Sequence, residues 1–186
     1  MDTKSLLIET ATELFQQKGY KSVGVNEILK TCNITKGGLY HHFPNGKEEL
    51  LISCLDAMNK EITTDIEDIF KQYSSTKEAF HILLENLANK FDQEGTITGY
   101  TFSSIVSEMA LLSEAVQNSC SSLYTNIQKV YENRLKADGY SEEDAYSIAL
   151  MMVASIEGAL MLCLTQKSSN PLKIIARTLP QLLKES

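Results

Sequence analysis

Ten consecutive residues, Ile34-Thr35-Lys36-Gly37-Gly38-Leu39-Tyr40-His41-His42-Phe43, gather more chemistry than any other stretch of this 186-residue chain. Lys36 can donate to guanine edges, and Tyr40, His41 and His42 can donate to phosphate oxygens. Thr35 is suited to cap a helix beginning at Lys36. Gly37 and Gly38 each cost a helix about 1 kcal/mol relative to alanine, so a pair of them serves close approach to the duplex better than stability. Leu39 and Phe43 are spaced to anchor the same short helix in a core. Slightly later, Lys47 puts a cation beside a positive helix terminus, a good phosphate site. Taken singly, each residue is ordinary: tyrosine and histidine on a surface helix are usually solvated, and glycine pairs usually mark turns. His41-His42 could suggest a metal, but successive helical residues point about 100° apart. No third ligand stands near them, so neither metal nor cofactor is expected. The combination with a preceding helix, turn and cap implies the recognition half of a helix-turn-helix, with double-stranded DNA as partner.

The elements that must position these residues are all helices, and the expected class is all-α. A first helix spans about residues 2–18, with Leu7, Ala11, Leu14 and Phe15 on one face and Gly19 as a left-handed stop. A second covers about 25–32, with Val25, Ile28, Leu29 and Cys32 inward. Asn33 tolerates the left-handed turn, Ile34 plugs the core, and the third helix runs from Lys36 to about Phe43. Pro44-Asn45-Gly46 breaks the chain before a long amphipathic helix from Lys47 to about Tyr73. Ser75-x-x-Glu78 is a capping box that opens a fifth helix through Phe91. Residues 95–101 read as a loop, followed by helices at about 103–112, 115–137 and 141–165. Asn170-Pro171 starts the last helix, which Pro180 should kink or end. The expected division is a DNA-binding domain over 1–46 and a helical regulatory and dimerisation domain over 47–186.

Charge supports that division. The net charge is −7, yet residues 1–47 hold six lysines against four carboxylates, or +2, and the remainder carries −9. A small cationic head on an acidic body fits a nucleic-acid partner bound by a few placed contacts, doubled in a dimer. Cys32, Cys54, Cys120 and Cys163 lie far apart without metal-ligand spacing, which suits small buried fillers in a reducing cytoplasm. There is no secretory signal pattern at the N-terminus. The stretch Ile148–Leu164 is interrupted by Ser155, Glu157 and Gly158, so a bundle helix is expected rather than a membrane span. No Ser-His-Asp, Cys-His or clustered-carboxylate constellation supports an enzyme.

The first 50 or so residues resemble the DNA-binding head of the TetR/AcrR family of bacterial repressors. The matching pattern is Ala11-x-x-Leu14-Phe15-x-x-x-Gly19-Tyr20, Ile28, Thr35-Lys36-Gly37-x-Leu39-Tyr40-x-His42-Phe43 and Lys47-Glu48-Glu49-Leu50. The resemblance implies phosphate contacts from Thr35, Tyr40, His42 and Lys47, and base contacts from Lys36 and Gly37. One extra residue before Lys47 is similar to the LmrA/YxaF-like branch. So are Ser107-Glu108-x-Ala110-Leu111-x-Ser113-Glu114 and Ile156-Glu157-Gly158-Ala159-x-Met161, which extend the likeness over nearly the whole chain. Two positions depart from the family pattern. Val23-Gly24 stands where a threonine usually caps the second helix, with Ser22 or Asn26 as substitutes. Gly38 stands where serine or threonine is frequent.

The resemblance further implies a body that dimerises through its last two long helices and encloses an inducer pocket. The helix at 141–165 is apolar on nearly every face and must be covered on all sides. Ala154, Ser155, Gly158 and Ala159 supply small residues at spacings that let two helices approach. Candidate pocket residues on the middle helices are Phe80, Leu84, Leu87 and Phe91, together with Phe102, Met109, Tyr124 and Met152. Core packing explains each of these about as well as ligand contact. Glu157, alone in its apolar run, needs a partner such as Arg134 or Arg177, a polar ligand, or water. The expected protein is a dimeric repressor on a palindromic operator, from which a small-molecule inducer releases it by favouring the wrong separation of the heads.

Overall fold

The computed structural model describes residues 2–95, 106, 108 and 112–183. Among them the regular elements are all helical: α1 (Thr3–Lys18), α2 (Val25–Cys32), α3 (Lys36–His42), α4 (Lys47–Gln72), α5 (Thr76–Glu94), α6 (Glu114–Ala137), α7 (Glu142–Gln166) and α8 (Asn170–Thr178), followed by a 3-10 turn (Leu179–Leu182). Most of the helix expected at 103–112 lies outside the described residues. The chain forms two compact units. One comprises residues 1–60 and 98–123, the other residues 61–97 and 124–186.

In the first unit, local chemistry sets the helix ends. Asp2 caps α1 by accepting from the Ser5 amide. Asn33 stops α2 in the left-handed conformation at φ 54°, and Thr35 caps α3 by accepting from the Gly38 amide at 3.2 Å. Gly19 does end α1 with a positive φ of 79°, but its ψ of 155° is extended and not left-handed helical. That region is essentially restricted to glycine. The core joins Leu7, Ala11 and Phe15 to Val23, Ile28, Leu39, Phe43, Leu50 and Leu51, all essentially inaccessible. Burial of such side chains contributes about 1.5–3 kcal/mol each, which holds a seven-residue helix that could not persist alone.

In the second unit, the rings of Phe70 and Phe80 pack on Tyr131 at 5.6 and 5.8 Å. Ser75 opens α5 as a cap. The Arg134 guanidinium donates to the Tyr73 and Ser74 carbonyls, and Asp138 accepts from the Thr76 amide, so the α4–α5 turn is tied to the end of α6. His81 reaches the Ala176 carbonyl at 2.7 Å, joining α5 to α8. Pro171 stands in the first turn of α8, and Pro180 lies in the 3-10 turn that follows it. By length and composition alone α7 is long and apolar enough to cross a membrane, a test that the core helix of a bundle also passes. One face of α7 is buried through Ala145, Ala149, Met152, Ile156 and Cys163. All four cysteines are buried thiols.

Candidate nucleic-acid interface

The α2–turn–α3 segment is closed by backbone bonds from Asn33 to the Lys30 carbonyl and from Ile34 to the Leu29 carbonyl. Leu39 and Phe43 anchor α3 in the core, and Lys36, Gly37, Tyr40 and His41 are exposed on its outer side. Those four positions are neighbours at helical spacing. Thr35 is exposed as well. Its oxygen accepts the cap bond, and its own O–H can still donate to a phosphate.

The two glycines turn out to differ. A Cβ on Gly37 would meet only the Thr35 hydroxyl oxygen, at 4.0 Å, so nothing in the protein requires glycine there. A Cβ on Gly38 would stand 3.0 Å from the Ile34 methyl, so this glycine answers to the turn beneath it. Gly46, the residue before Lys47, has φ 72°, and the Tyr40 ring packs against it, with ring atoms 3.4–3.8 Å from where a Cβ would sit. The positive φ favours glycine, and the close packing steadies Tyr40, which remains 42% exposed. The Lys36 ammonium hovers 5.9 Å from the centre of the same ring. His42 is half-buried between His41 and Phe43.

The Lys47 ammonium donates to the Tyr20 carbonyl. It sits 4.0 Å from the Tyr20 ring centre and 5.8 Å from that of Phe15. Burial lowers its pKa, opposed by the negative charge of Glu108. An aromatic face and a carbonyl supplied 27 residues earlier outcompete solvent for this cation. Gly24 caps α2 without any side-chain bond, and Ser22 and Asn26 are both exposed beside it.

Phe80, Leu84, Leu87, Phe91 and Met152 are buried at 5% exposure or less, in keeping with core packing. Phe102 and Met109 lie outside the described residues. Glu157 pairs with neither arginine: its hydrogen bond is with Tyr124, and burial pushes its carboxyl up to about 7. Arg177 bonds to the Lys173 carbonyl in its own helix. An open cleft of about 260 Å³ in this unit is lined by Glu67, Phe70, Lys71, Val130, Asn133, Arg134 and Ala137, none of them among the expected pocket residues. Of the small residues on α7, Ala154 and Gly158 are exposed, Ser155 is intermediate and Ala159 is buried.

Two family models match the chain. That of the bacterial regulatory proteins of the tetR family covers residues 7–54, and that of the LmrA/YxaF-like transcriptional regulator C-terminal domain covers residues 76–178. The chain is a member of the TetR family. It is 34% identical to the HTH-type transcriptional regulator YxaF of Bacillus subtilis over 99% of this chain and 96% of that protein. It is 35% identical to the HTH-type transcriptional regulator LmrA of the same organism, over 98% and 97%. Among solved structures, reduced Escherichia coli NemR superposes with a TM-score of 0.83 at 18% identity, covering 98% of both chains. A TetR regulator from Legionella pneumophila gives the same score at 22% identity, over 99% and 98%. TetR-type proteins are transcriptional regulators, not enzymes, and the helix-turn-helix described above is their DNA-binding head.

Proposed function

We propose that this TetR regulator is a cytoplasmic dimeric repressor that binds a palindromic operator and is released by a small-molecule inducer. The observation that carries the DNA half is the outer side of α3. There Thr35, Lys36, Tyr40 and His41 stand exposed around Gly37, a glycine whose missing side chain leaves open space. Lys36 and the Gly37 backbone suit base edges, while Thr35, Tyr40, His41 and the partly exposed His42 suit phosphates. Lys47 bonds the Tyr20 carbonyl within the head and keeps further donors that suit a phosphate. Binding by a duplex selected from a random-sequence pool should be saturable and fall steeply with salt. Lys36→Ala and Tyr40→Ala should each weaken it about tenfold or more with helicity unchanged. Unaltered affinity in both variants would sink this interface.

Support for pairing comes from α7. Tyr146, Leu150, Ala154, Gly158, Met161 and Leu162 form an exposed apolar stripe at helical spacing, with Tyr146 at 55% and Met161 at 49% exposure. Gly158 has nothing within 4 Å of a would-be Cβ, so its helix cost of about 1 kcal/mol is not explained within one subunit. Close approach of a second copy explains it. Two heads about 34 Å apart would then read half-sites one helical turn apart. Gly158→Leu should convert the dimer to monomer at micromolar concentration without loss of helicity, as read by sedimentation. A variant that sediments as the unaltered dimer would remove Gly158 from the interface. For the inducer, Tyr124 and Glu157 are the half-buried polar pair on α6 and α7 best suited to meet a hydrogen-bond donor or cation.

A further inference from the structure

The turn Gly19-Tyr20-Lys21 between α1 and α2 is gripped by two side chains of opposite charge. The Lys21 amide donates to Glu108 Oε2 at 2.9 Å, and the preceding Tyr20 carbonyl accepts from the Lys47 ammonium. The other Glu108 oxygen lies 2.8 Å from where Gly19 would carry a Cβ, so a side chain there would displace the carboxylate. A second contact joins neighbouring residues: the Ser113 hydroxyl donates to Glu48 Oε1 at 2.6 Å, next to Lys47 at the start of α4. The backbone donor and acceptor of this turn are thus both satisfied from elsewhere in the same compact unit.

We infer that Glu108 is a positioning residue for DNA binding, which with Lys47 fixes the α1–α2 turn and so the pose in which α2 and α3 are offered to the duplex. This rests on the DNA-binding reading above. The start of α2 lacks a side-chain cap bond at Gly24, so the turn carries more of the task of holding that helix end. A carboxylate bonded to a backbone N–H is a strong, directional anchor. It also draws Lys47 inward, since its charge counters the burial that would otherwise disfavour the ammonium.

Charge alone makes the opposite prediction. A carboxylate in a cationic head repels phosphate, so its removal should tighten binding if repulsion were its main effect. Positioning requires that removal weaken binding instead. The salt dependence should meanwhile stay that of the wild type, because Glu108 makes no phosphate contact.

The test uses the full chain and the tightest duplex that the wild-type protein selects from a random pool. Glu108→Ala should bind that duplex about tenfold or more weakly, with the wild-type salt slope. Glu108→Gln keeps the size and one acceptor oxygen and should recover part of the loss. Without DNA, amide exchange at Lys21 should be faster in Glu108→Ala than in wild type. Tighter or unchanged binding by both variants, or equal Lys21 exchange, overturns the inference. If the alanine variant does not fold, Glu108→Gln decides by the same measurements, weaker binding with an unaltered slope supporting the inference. A wild-type chain that selects no duplex would instead overturn the DNA reading, while Lys21 exchange would still report whether the Glu108 contact exists.

Discussion

Gly37→Ala should make the protein more stable and its operator binding weaker. The two effects have separate causes. A methyl group at Gly37 enters open space, its nearest neighbour being the Thr35 hydroxyl oxygen at 4.0 Å. Replacing glycine by alanine inside a helix contributes about 1 kcal/mol, and the seven-residue α3 has few other local sources of stability. The thermal midpoint should therefore rise by a few degrees. In the proposed docking the same methyl would stand between the α3 backbone and the floor of the major groove. Losing one close base contact costs about 1–3 kcal/mol, and a symmetric dimer loses it twice. Affinity should fall by at least about thirtyfold, measured by fluorescence anisotropy on the selected duplex. Gly38→Ala is the control, because its methyl would press on Ile34 at 3.0 Å and so forfeit part of the stability gain. A Gly37→Ala protein that is stabilised and binds DNA undiminished would show that α3 does not approach the groove at this position.

What could be read from the chain follows from the range of the interactions involved. The cap at Thr35, the left-handed Asn33, the cap at Ser75 and the proline start of α8 are local, and residue type nearly determines them. Leu39 and Phe43 were legible as anchors because a helix shows its buried face as a period. The contact of Lys47 with Tyr20 is not legible locally, because its partner stands 27 residues earlier. Gly19 was read as a left-handed stop, and its extended ψ goes with a carboxylate supplied 89 residues later. On α7 the difficulty was different in kind. A helix apolar on nearly every side has no period to separate Ala154, which is exposed, from Ala159, which is buried. Likewise phenylalanine and leucine look the same in a sequence whether they fill a core or line a pocket.

Glu157 should make the stability of this protein fall as pH rises from about 4.5 to 7. Its carboxyl is raised from the ordinary 4.5 to about 7, chiefly by burial, with the Tyr124 hydrogen bond pulling the other way. Between those two values the folded chain holds a proton that the unfolded chain has released. Unfolding therefore releases a proton, and stability declines with pH across the window and levels off above about 7. The full difference is at most about 3 kcal/mol per subunit, less where solvent reaches the half-buried group. Glu157→Gln keeps the shape and a donor–acceptor pair for Tyr124 but cannot ionise. It should match the wild type near pH 4 and exceed it near pH 8, with the gap opening through pH 6, as read by urea denaturation. The same substitution separates two roles for this residue. If a cationic inducer is drawn to the ionised carboxylate, wild-type release from DNA should strengthen between pH 6 and 8, and Glu157→Gln should lose that dependence. If the carboxyl only fills the space beside Tyr124, the stability slope should vanish in Glu157→Gln while inducer response stays as in the wild type at every pH. A wild-type protein whose stability is flat from pH 5 to 8 would remove the buried acid from both accounts.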